Sequence, residues 1–266
     1  MRGLITSARI FVSGALLSYR ALFRWLSPPS YVASKIIMPL NQILFFTLLG
    51  KFATGPDTVS FYTIGNAMQV AALSGIYGVT MSISGERWEG TLIYLFGAPA
   101  NRLLVFGGRA FMHIIDGMVG VALGLMWGVL LLGLDLSQAN FWGLILTIVI
   151  ATTSTSAFGL LFGAFSLVTR NVMFINNTVY FLLLVFSGAN VPLANFPSWV
   201  RAFSYSLPLT RGIAAARQVI AGASLAEVMP LLTGEVLIGL VYFLIGYFIF
   251  RWFEVQAKRQ GTLEAM

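Results

Sequence analysis

Long apolar runs with almost no charge dominate this chain, and they restrict its fold more than any other feature. They cover residues 31–50, 58–84, 108–134, 138–169, 171–191 and 228–252. A helix needs about 20 apolar residues to cross a bilayer, so the runs predict six spans. The runs lack the period-two alternation of a membrane β-barrel, and backbone groups in lipid need partners within their own segment. We therefore expect an all-α membrane protein, with one membrane domain over residues 1–266.

Composition supports this class and excludes several others. Only 9% of the residues are charged, whereas a soluble domain has about 25%. The chain has no cysteine, which excludes disulfides and thiolate sites, and its single histidine, His113, excludes a histidine metal cluster. The net charge of +7 is interpreted as cytoplasmic loop charge rather than as a nucleic-acid site. We expect lipid contact and no nucleic-acid partner.

The N-terminal residues 1–28 have the pattern of an amphipathic helix. A basic and polar stripe at helical spacing contains Arg2, Arg9, Ser13, Arg20, Arg24 and Ser27. The opposite side contains Leu4, Phe11, Ala15, Leu22 and Leu26. Such a helix lies in the headgroup plane, and the sequence SPPS at residues 27–30 ends it before the first span. A secretory signal peptide is the less favoured alternative, because the arginines interrupt any apolar core.

The distribution of basic residues predicts the orientation. Six spans place both termini on one side of the membrane, and only four of the 16 lysines and arginines then lie on the other side: Lys51, Arg201, Arg211 and Arg217. The positive-inside rule therefore predicts cytoplasmic termini and an inner (plasma) membrane location. On this topology the segment 191–226 lies outside. Its three prolines and interspersed aromatic residues favour short helices that re-enter the outer interface over a plain surface loop.

Energy-coupling motifs are scarce in the chain. The P-loop pattern is missing, because the one Gly-Lys pair, Gly50-Lys51, is followed by Phe52. Intramembrane charge candidates are His113, Asp116 and Glu235, and the two acids allow an ion-coupled carrier as an alternative function. We expect His113 to be the partner of Asp116, one helical turn away, and Glu235 to pair with Arg211 or Arg217. A Ser-His-Asp hydrolase using His113 and Asp116 is a weak alternative.

A cluster of charges interrupts the apolar pattern at residues 84–102, with the sequence SGERWEGTLIYLFGAPANR. It resembles the signature of ABC-2 type permeases, in which an acidic residue precedes Gly-Thr-Leu and a later proline. The corresponding residues are Glu86, Glu89, Gly90-Thr91-Leu92 and Pro99. The sequence LPLTRGIAAARQVIAG at residues 207–222 resembles the segment before the last span of that family. The resemblance covers essentially the whole chain.

The resemblance implies a coupling helix that contacts a separate ATPase. The implied coupling residues are Gly85, Glu86, Arg87, Glu89, Gly90 and Thr91. It also implies two permease copies that form a homodimer, and two ABC ATPase subunits that carry the ATP and magnesium. No cofactor is expected on this chain, and the chain itself is expected not to be an enzyme. The alternative interpretation of the cluster is a solvated loop whose charges only enforce topology.

The resemblance further implies a substrate path where spans two and five of both copies face each other. The candidate path residues are Asn66, Gln69, Asn176, Asn177, Phe181, Phe186 and Asn190. Amides and phenyl rings suit an amphipathic cargo: a small molecule, drug, lipid or lipid-linked glycan, with the drug-export branch favoured. The alternatives are that the amides bridge helices and the rings face lipid. A non-transporting assembly subunit is a further alternative for the chain.

Overall fold

The computed structural model describes residues 9–17, 27–91, 94, 97, 102–166, 169 and 171–260, and their regular structure is helical. An N-terminal helical segment occupies residues 9–17. The helices that follow are numbered α1 (28–54), α2 (Pro56–Trp88), α3 (Arg102–Leu132), α4 (Phe141–Phe165), α5 (Val172–Phe186), α6 (Ser198–Ser206), α7 (Thr210–Ile220) and α8 (Leu225–Gln260). The prediction of an all-α membrane protein is confirmed.

Five of these helices, α1 to α4 and α8, are long and apolar enough to cross a membrane. Helix α5 is apolar but has only 15 residues, a rise of about 22 Å against a hydrocarbon core of about 30 Å. Gly188 follows it with φ 83°, and this left-handed conformation turns the chain before the predicted end at residue 191. The sixth span therefore stays a prediction.

Several helices extend beyond their predicted ends. Helix α2 reaches Trp88 rather than residue 84, α3 begins at Arg102 rather than 108, and α8 continues to Gln260 rather than 252. Each extension contains charged residues among apolar ones: Glu86 and Arg87 in α2, Arg102 in α3, and Glu254, Lys258 and Arg259 in α8. Hydrophobicity marks the part of a helix that lipid can contain, whereas backbone hydrogen bonding continues until a helix-ending residue appears.

Two spans contain a π-helical turn, Ala33–Ile37 in α1 and Leu73–Gly78 in α2. Pro39 follows the first. Proline lacks an N–H and its ring clashes with the carbonyl four residues earlier, so a widened turn relieves that conflict. The second turn contains Gly75, which packs directly on α4: a Cβ on Gly159 would lie 2.0 Å from the Gly75 carbonyl oxygen. The two helix backbones are therefore in contact at this π turn.

Helices α2 and α4 form the centre of the molecule, and α8 packs along α4 through small residues. A Cβ on Gly239 would lie 3.1 Å from the Ser154 Cα, and one on Gly246 would lie 2.9 Å from the Leu161 backbone. Glycines spaced this way let membrane helices approach closely when no hydrophobic driving force exists between them. The backbones of α4 and α8 therefore pack directly against each other at Gly239 and Gly246.

The described part of the N-terminal helix packs on the first half of α3. The Phe11 and Phe111 ring centroids are 5.6 Å apart, and the Phe11 carbonyl lies against Gly108. Arg9 is exposed and Ala15 is buried, as the amphipathic pattern predicts. Residues 1–8 and 18–26 of the predicted helix lie outside the described residues. The described part of this helix is therefore attached to α3, and its position in the headgroup plane stays a prediction.

The segment between α5 and α8 contains the expected short helices, α6 and α7. Helix α7 packs against α2, α4 and α8, and its apolar side is buried, including Ile213 and Val219. This excludes a plain surface loop for α7. Re-entry into the membrane stays a prediction.

Candidate functional site

Helix α2 carries the first predicted coupling residues on its last turn rather than in a loop. It continues through Gly85 and Glu86 and ends at Trp88. Gly90 then reverses the chain with φ 68°, a conformation that favours glycine. The loop that the sequence predicted from residue 84 therefore begins one helical turn later. The remaining residues of the predicted coupling helix lie mostly outside the described residues, which here include only 94 and 97.

Glu86 faces α3 within the same chain. Its carboxylate forms an ion pair with the Arg109 guanidinium and accepts a hydrogen bond from the Thr91 hydroxyl. Arg109 also donates to the Ser82 carbonyl at 2.8 Å. These contacts fasten the end of α2 to the beginning of α3, so Glu86 and Thr91 are engaged inside the permease.

Arg87 faces α4 instead. Its guanidinium donates to the carbonyls of Ser166, at 3.4 Å, and Thr169, at 2.8 Å. These carbonyls follow the last turn of α4, where a cation is favourable because the helix dipole ends there. Two adjacent residues of α2 therefore bind two different parts of the bundle, the beginning of α3 and the end of α4.

The outward side of the same turn is formed by Trp88, Glu89 and Gly90, which are all exposed. Trp88 is 54% exposed and Tyr94, further along the chain, is 76% exposed. A Cβ on Gly85 or Gly90 would meet nothing within 4 Å. The predicted coupling residues thus divide into an inward pair, Glu86 and Arg87, and an outward group centred on Glu89.

The predicted path residue Asn66 joins three parts of the bundle. Its Nδ2 donates to the Asn190 Oδ1 at 2.8 Å and to the Tyr62 carbonyl at 3.0 Å. Its Oδ1 accepts from the Gln42 Nε2 of α1 at 3.4 Å, and the Tyr180 hydroxyl of α5 donates to the Gln42 Oε1. Asn66 itself is fully buried. In this conformation its amide bridges helices.

Gln69 and Asn176 are also fully buried. The Gln69 Oε1 accepts from the Ser187 hydroxyl at 3.4 Å. Within the described part of the chain, the Gln69 Nε2 and both amide atoms of Asn176 have no hydrogen-bond partner. Buried amides of this kind are uncommon in proteins, because each unmade hydrogen bond costs about 1–3 kcal/mol. They mark the α2–α5 contact as a place where polar groups remain to be satisfied.

The other path candidates are more accessible. Asn177 and Phe181 are exposed on α5, and Asn177 accepts a hydrogen bond from the Tyr77 hydroxyl of α2 at 2.6 Å. Phe186 is half-buried and packs on Phe203 of α6, with ring centroids 5.4 Å apart. The set is therefore split by burial: Asn66, Gln69 and Asn176 are inside, Asn177 and Phe181 are outside, and Phe186 and Asn190 are intermediate.

Asp116 is held by α1 and α2. Its carboxylate forms an ion pair with the Lys35 ammonium and accepts from the Ser74 hydroxyl at 2.6 Å. Lys35 also donates to the Ser74 hydroxyl oxygen at 3.1 Å. The prediction that His113 is the main partner is therefore wrong: its ring packs against Gly78, and its Nε2 has no hydrogen-bond partner among the described residues.

Glu235 of α8 caps the N-terminus of α7. Its two carboxylate oxygens accept the backbone N–H groups of Leu209, Arg211 and Gly212, at 2.5, 3.2 and 3.2 Å. Leu209 has φ 75°, a left-handed conformation that costs a leucine about 1–2 kcal/mol. The helix dipole and the free N–H groups favour an anion at this end. Glu235 therefore fastens α7 to α8 and stabilises the strained Leu209.

The arginines that the sequence suggested for Glu235 bind carbonyl groups instead. Arg211 donates to the Tyr205 carbonyl. Arg217 donates to the carbonyls of Phe61, at 2.9 Å, and Ala189, at 3.1 Å, and its guanidinium carbon lies 3.6 Å from the centroid of the Phe61 ring. The expected guanidinium–carboxylate pair is therefore wrong, because backbone N–H groups were nearer competitors for the acid.

Sequence reasoning missed three of these partners: Lys35, Arg109 and Gln42. Lys35 looked like the end of a span, from which a lysine reaches towards the headgroups, but it points inward to Asp116. The available signal was a lysine in one apolar run, 31–50, together with an aspartate in another, 108–134. Arg109 and Gln42 gave no comparable signal, because their contacts depend on how α1, α2 and α3 pack.

Comparison with known proteins agrees with this geometry. The chain matches the ABC-2 type transporter family over residues 14–221, which is most of its length. It therefore belongs to the ABC-2 type transporter family, and it is a multi-pass membrane permease. The resemblance seen in residues 84–102 and 207–222 is confirmed.

Individual relatives are more distant. The chain is 28% identical over 234 residues to the probable doxorubicin resistance ABC transporter permease protein DrrC of Mycobacterium tuberculosis strain CDC 1551 / Oshkosh. The same protein of strain ATCC 25618 / H37Rv gives the same identity. The alignment covers 84% of this chain and 82% of the relative in both cases, so the similarity extends over nearly the whole permease.

Proposed function

We propose that this chain is the membrane subunit of an ATP-driven exporter that moves an amphipathic, drug-like molecule out of the cytoplasm. Two copies form the path, and two separate ABC ATPase subunits supply ATP, magnesium and hydrolysis. The family match and the similarity to a doxorubicin resistance permease support this proposal. Lipids and lipid-linked glycans are the alternative cargo classes that transport assays would distinguish. Both termini are proposed to be cytoplasmic.

The α2 end is the observation that carries the proposal. Glu86 is bound to α3 and Arg87 to α4, while Trp88 and Glu89 point away from the bundle. Such a turn has an outer side free for a partner and an inner side fixed to two spans. The ATPase therefore contacts Glu89 and its neighbours, and Glu86 and Arg87 transmit the motion.

The ion-coupled carrier has less support. It needs acids that bind and release ions, and both intramembrane acids are already engaged within the chain. Asp116 binds Lys35 and Ser74, and Glu235 accepts three backbone N–H groups.

The decisive experiment isolates the permease from its native membrane in mild detergent and measures the ATPase activity that accompanies it. Glu89→Arg is expected to lower the retained ATPase activity about tenfold, equivalent to about 1.4 kcal/mol of binding, without changing the thermal unfolding of the permease. Glu86→Arg places a second cation beside Arg109 and is expected to lower both the retained ATPase activity and the unfolding temperature of the permease. Asp135→Arg, an exposed change in the α3–α4 loop, serves as the matched control.

Inverted vesicles then test the direction and the energy source, with doxorubicin as a fluorescent probe. ATP-dependent uptake that stops on ATP depletion supports the exporter. Uptake that follows a proton gradient and continues without ATP would replace it with the ion-coupled carrier. A wild-type permease that retains no ATPase would contradict the proposal, and an ATPase complex that moves no cargo would favour the assembly-subunit alternative.

A further inference from the structure

The Lys35–Asp116 ion pair lies at an unusual place in the backbone. Lys35 belongs to the π turn of α1, and Ser74, which contacts both charged groups, belongs to the π turn of α2. Asp116 reaches them from α3. Single π turns inside α-helices occur frequently at functional sites, and here two of them meet at one ion pair.

Stability alone does not account for this pair. The Lys35 and Asp116 side chains are 22% and 10% exposed, so both charges are largely removed from water. An acid at mid-bilayer costs about 2.5–3.5 kcal/mol on insertion scales. Replacing a buried ion pair by apolar side chains is often neutral or stabilising. A pair that contributes little net stability but requires a defined geometry specifies how α1, α2 and α3 pack.

The α2 π turn Leu73–Gly78 contacts three neighbouring helices, α3, α4 and α5. Gly75 touches the Thr155 backbone of α4, and Gly78 touches the His113 ring of α3. Tyr77 donates to Asn177 of α5 at 2.6 Å. A shift of this one turn would therefore change contacts with α3, α4 and α5 together.

The same turn divides α2 into two functional halves. The half Val59–Ala72 carries the buried amides Asn66 and Gln69, and the half Val79–Trp88 carries Glu86. About 18 Å of helix, at 1.5 Å per residue, separates Ser74 from Glu86. Converting the π turn to α-helix would rotate one half against the other by about 100°, the angle of one residue. The turn is thus positioned to convert motion at one end into rearrangement at the other.

We propose that Lys35, Ser74 and Asp116 are positioning residues that form a charge lock on the α2 π turn. The lock holds the two halves of α2 in the arrangement seen here, and it opens when the outer turn at Glu89 is displaced. Because the lock joins three helices, its release frees α1 and α3 at the same moment. The link to ATP-driven export rests on the proposed function, whereas the lock itself is a property of the permease.

Distance measurements on the purified permease test the lock directly. The chain has no cysteine, so spin labels attached to Trp88→Cys on α2 and Trp252→Cys on α8 are the only ones present. Both sites are exposed. The labelled chain is diluted with unlabelled chain in lipid nanodiscs, so that distances between copies do not contribute. The wild type is expected to give one narrow distance distribution.

Asp116→Asn and Lys35→Gln are each expected to add a second distance between the labels. The exchange Lys35→Asp/Asp116→Lys is expected to restore the single wild-type distance. Asp135→Asn is the matched control and is expected to change nothing. In the complex, Asp116→Asn is expected to lower doxorubicin uptake per ATP about tenfold, within the 5–150-fold range typical of coupling between sites. An unchanged distribution in both single variants would overturn the proposal.

If Asp116→Asn does not fold, the apolar pair Lys35→Met/Asp116→Leu replaces it. This variant is expected to unfold at the wild-type temperature and still to give two distances, whereas a merely structural pair would leave one. Distances that change while the wild type shows no ATP-driven uptake leave the lock standing and reject the exporter. If the wild type exports and the variant distances are unchanged, the exporter stands and the lock is rejected.

Discussion

Asp116 and Glu235, the two acids inside the predicted spans, are stabilised in different ways. Asp116 uses side chains from two other helices, Lys35 and Ser74, whereas Glu235 uses the backbone N–H groups at the start of α7. Side-chain partners can separate and reform as helices move. A helix N-terminus keeps its N–H groups fixed, so Glu235 belongs to the static part of the molecule and Asp116 to the part that rearranges.

Removing the static acid is expected to have the largest effect. Glu235→Ala leaves three backbone donors without an acceptor and releases the strained Leu209, and at about 1–3 kcal/mol for each donor we expect a loss of about 3–9 kcal/mol in the free energy of unfolding. Thermal unfolding in detergent measures it. Glu227→Ala, on an exposed acid of α8 that accepts one backbone N–H, is the control and should cost about 1 kcal/mol. Equal losses would mean that Glu235 is not a special cap.

The mobile acid should allow a rescue that the static acid does not. Asp116→Leu alone leaves the Lys35 cation unpaired and is expected to cost about 3–5 kcal/mol. Lys35→Met/Asp116→Leu together should return to within about 1 kcal/mol of wild type. A double-mutant cycle of unfolding free energies measures the difference. A double variant as unstable as the sum of its singles would show that the two side chains act independently.

The smallest expected effect concerns the packing of the π turn. A Cβ on Gly78 would lie 2.3 Å from the His113 Nδ1, so Gly78→Ala must displace the ring and should cost about 1–3 kcal/mol. Gly85→Ala, on the same helix but with open space around it, should instead stabilise α2 by up to about 1 kcal/mol. Adding His113→Ala to Gly78→Ala should recover stability if the ring is the obstacle.

Much of the fold could be predicted because lipid imposes a simple rule on sequence. Five predicted spans correspond to helices long enough to cross, and α6 and α7 appear where prolines and aromatic residues suggested short helices. The end of α2 was less predictable. Glu86 and Arg87 were expected on a separate coupling helix after the span, yet both continue α2 itself, because contacts with Arg109 and the end of α4 satisfy their charges.

The candidate sites were predictable in position but not in partner. The sequence located the acids Asp116 and Glu235 and the amides Asn66 and Gln69, which are unusual in an apolar chain. It named His113 and two arginines as partners of the acids, because they were near in sequence or opposite in charge. Lys35 is 81 positions from Asp116, and backbone N–H groups leave no mark in a sequence, so neither partner could be found that way.

By itself, the sequence determined that this protein is a helical membrane permease, since apolar length, scarce charge and the ABC-2 signature are local properties. The direction in which each polar side chain points was decided only by the tertiary structure. Glu86 and Lys35 turn inward, and Glu89 turns outward. The physical reason is that a charge in a low-dielectric bundle takes whichever partner the packing of the helices brings within hydrogen-bond distance.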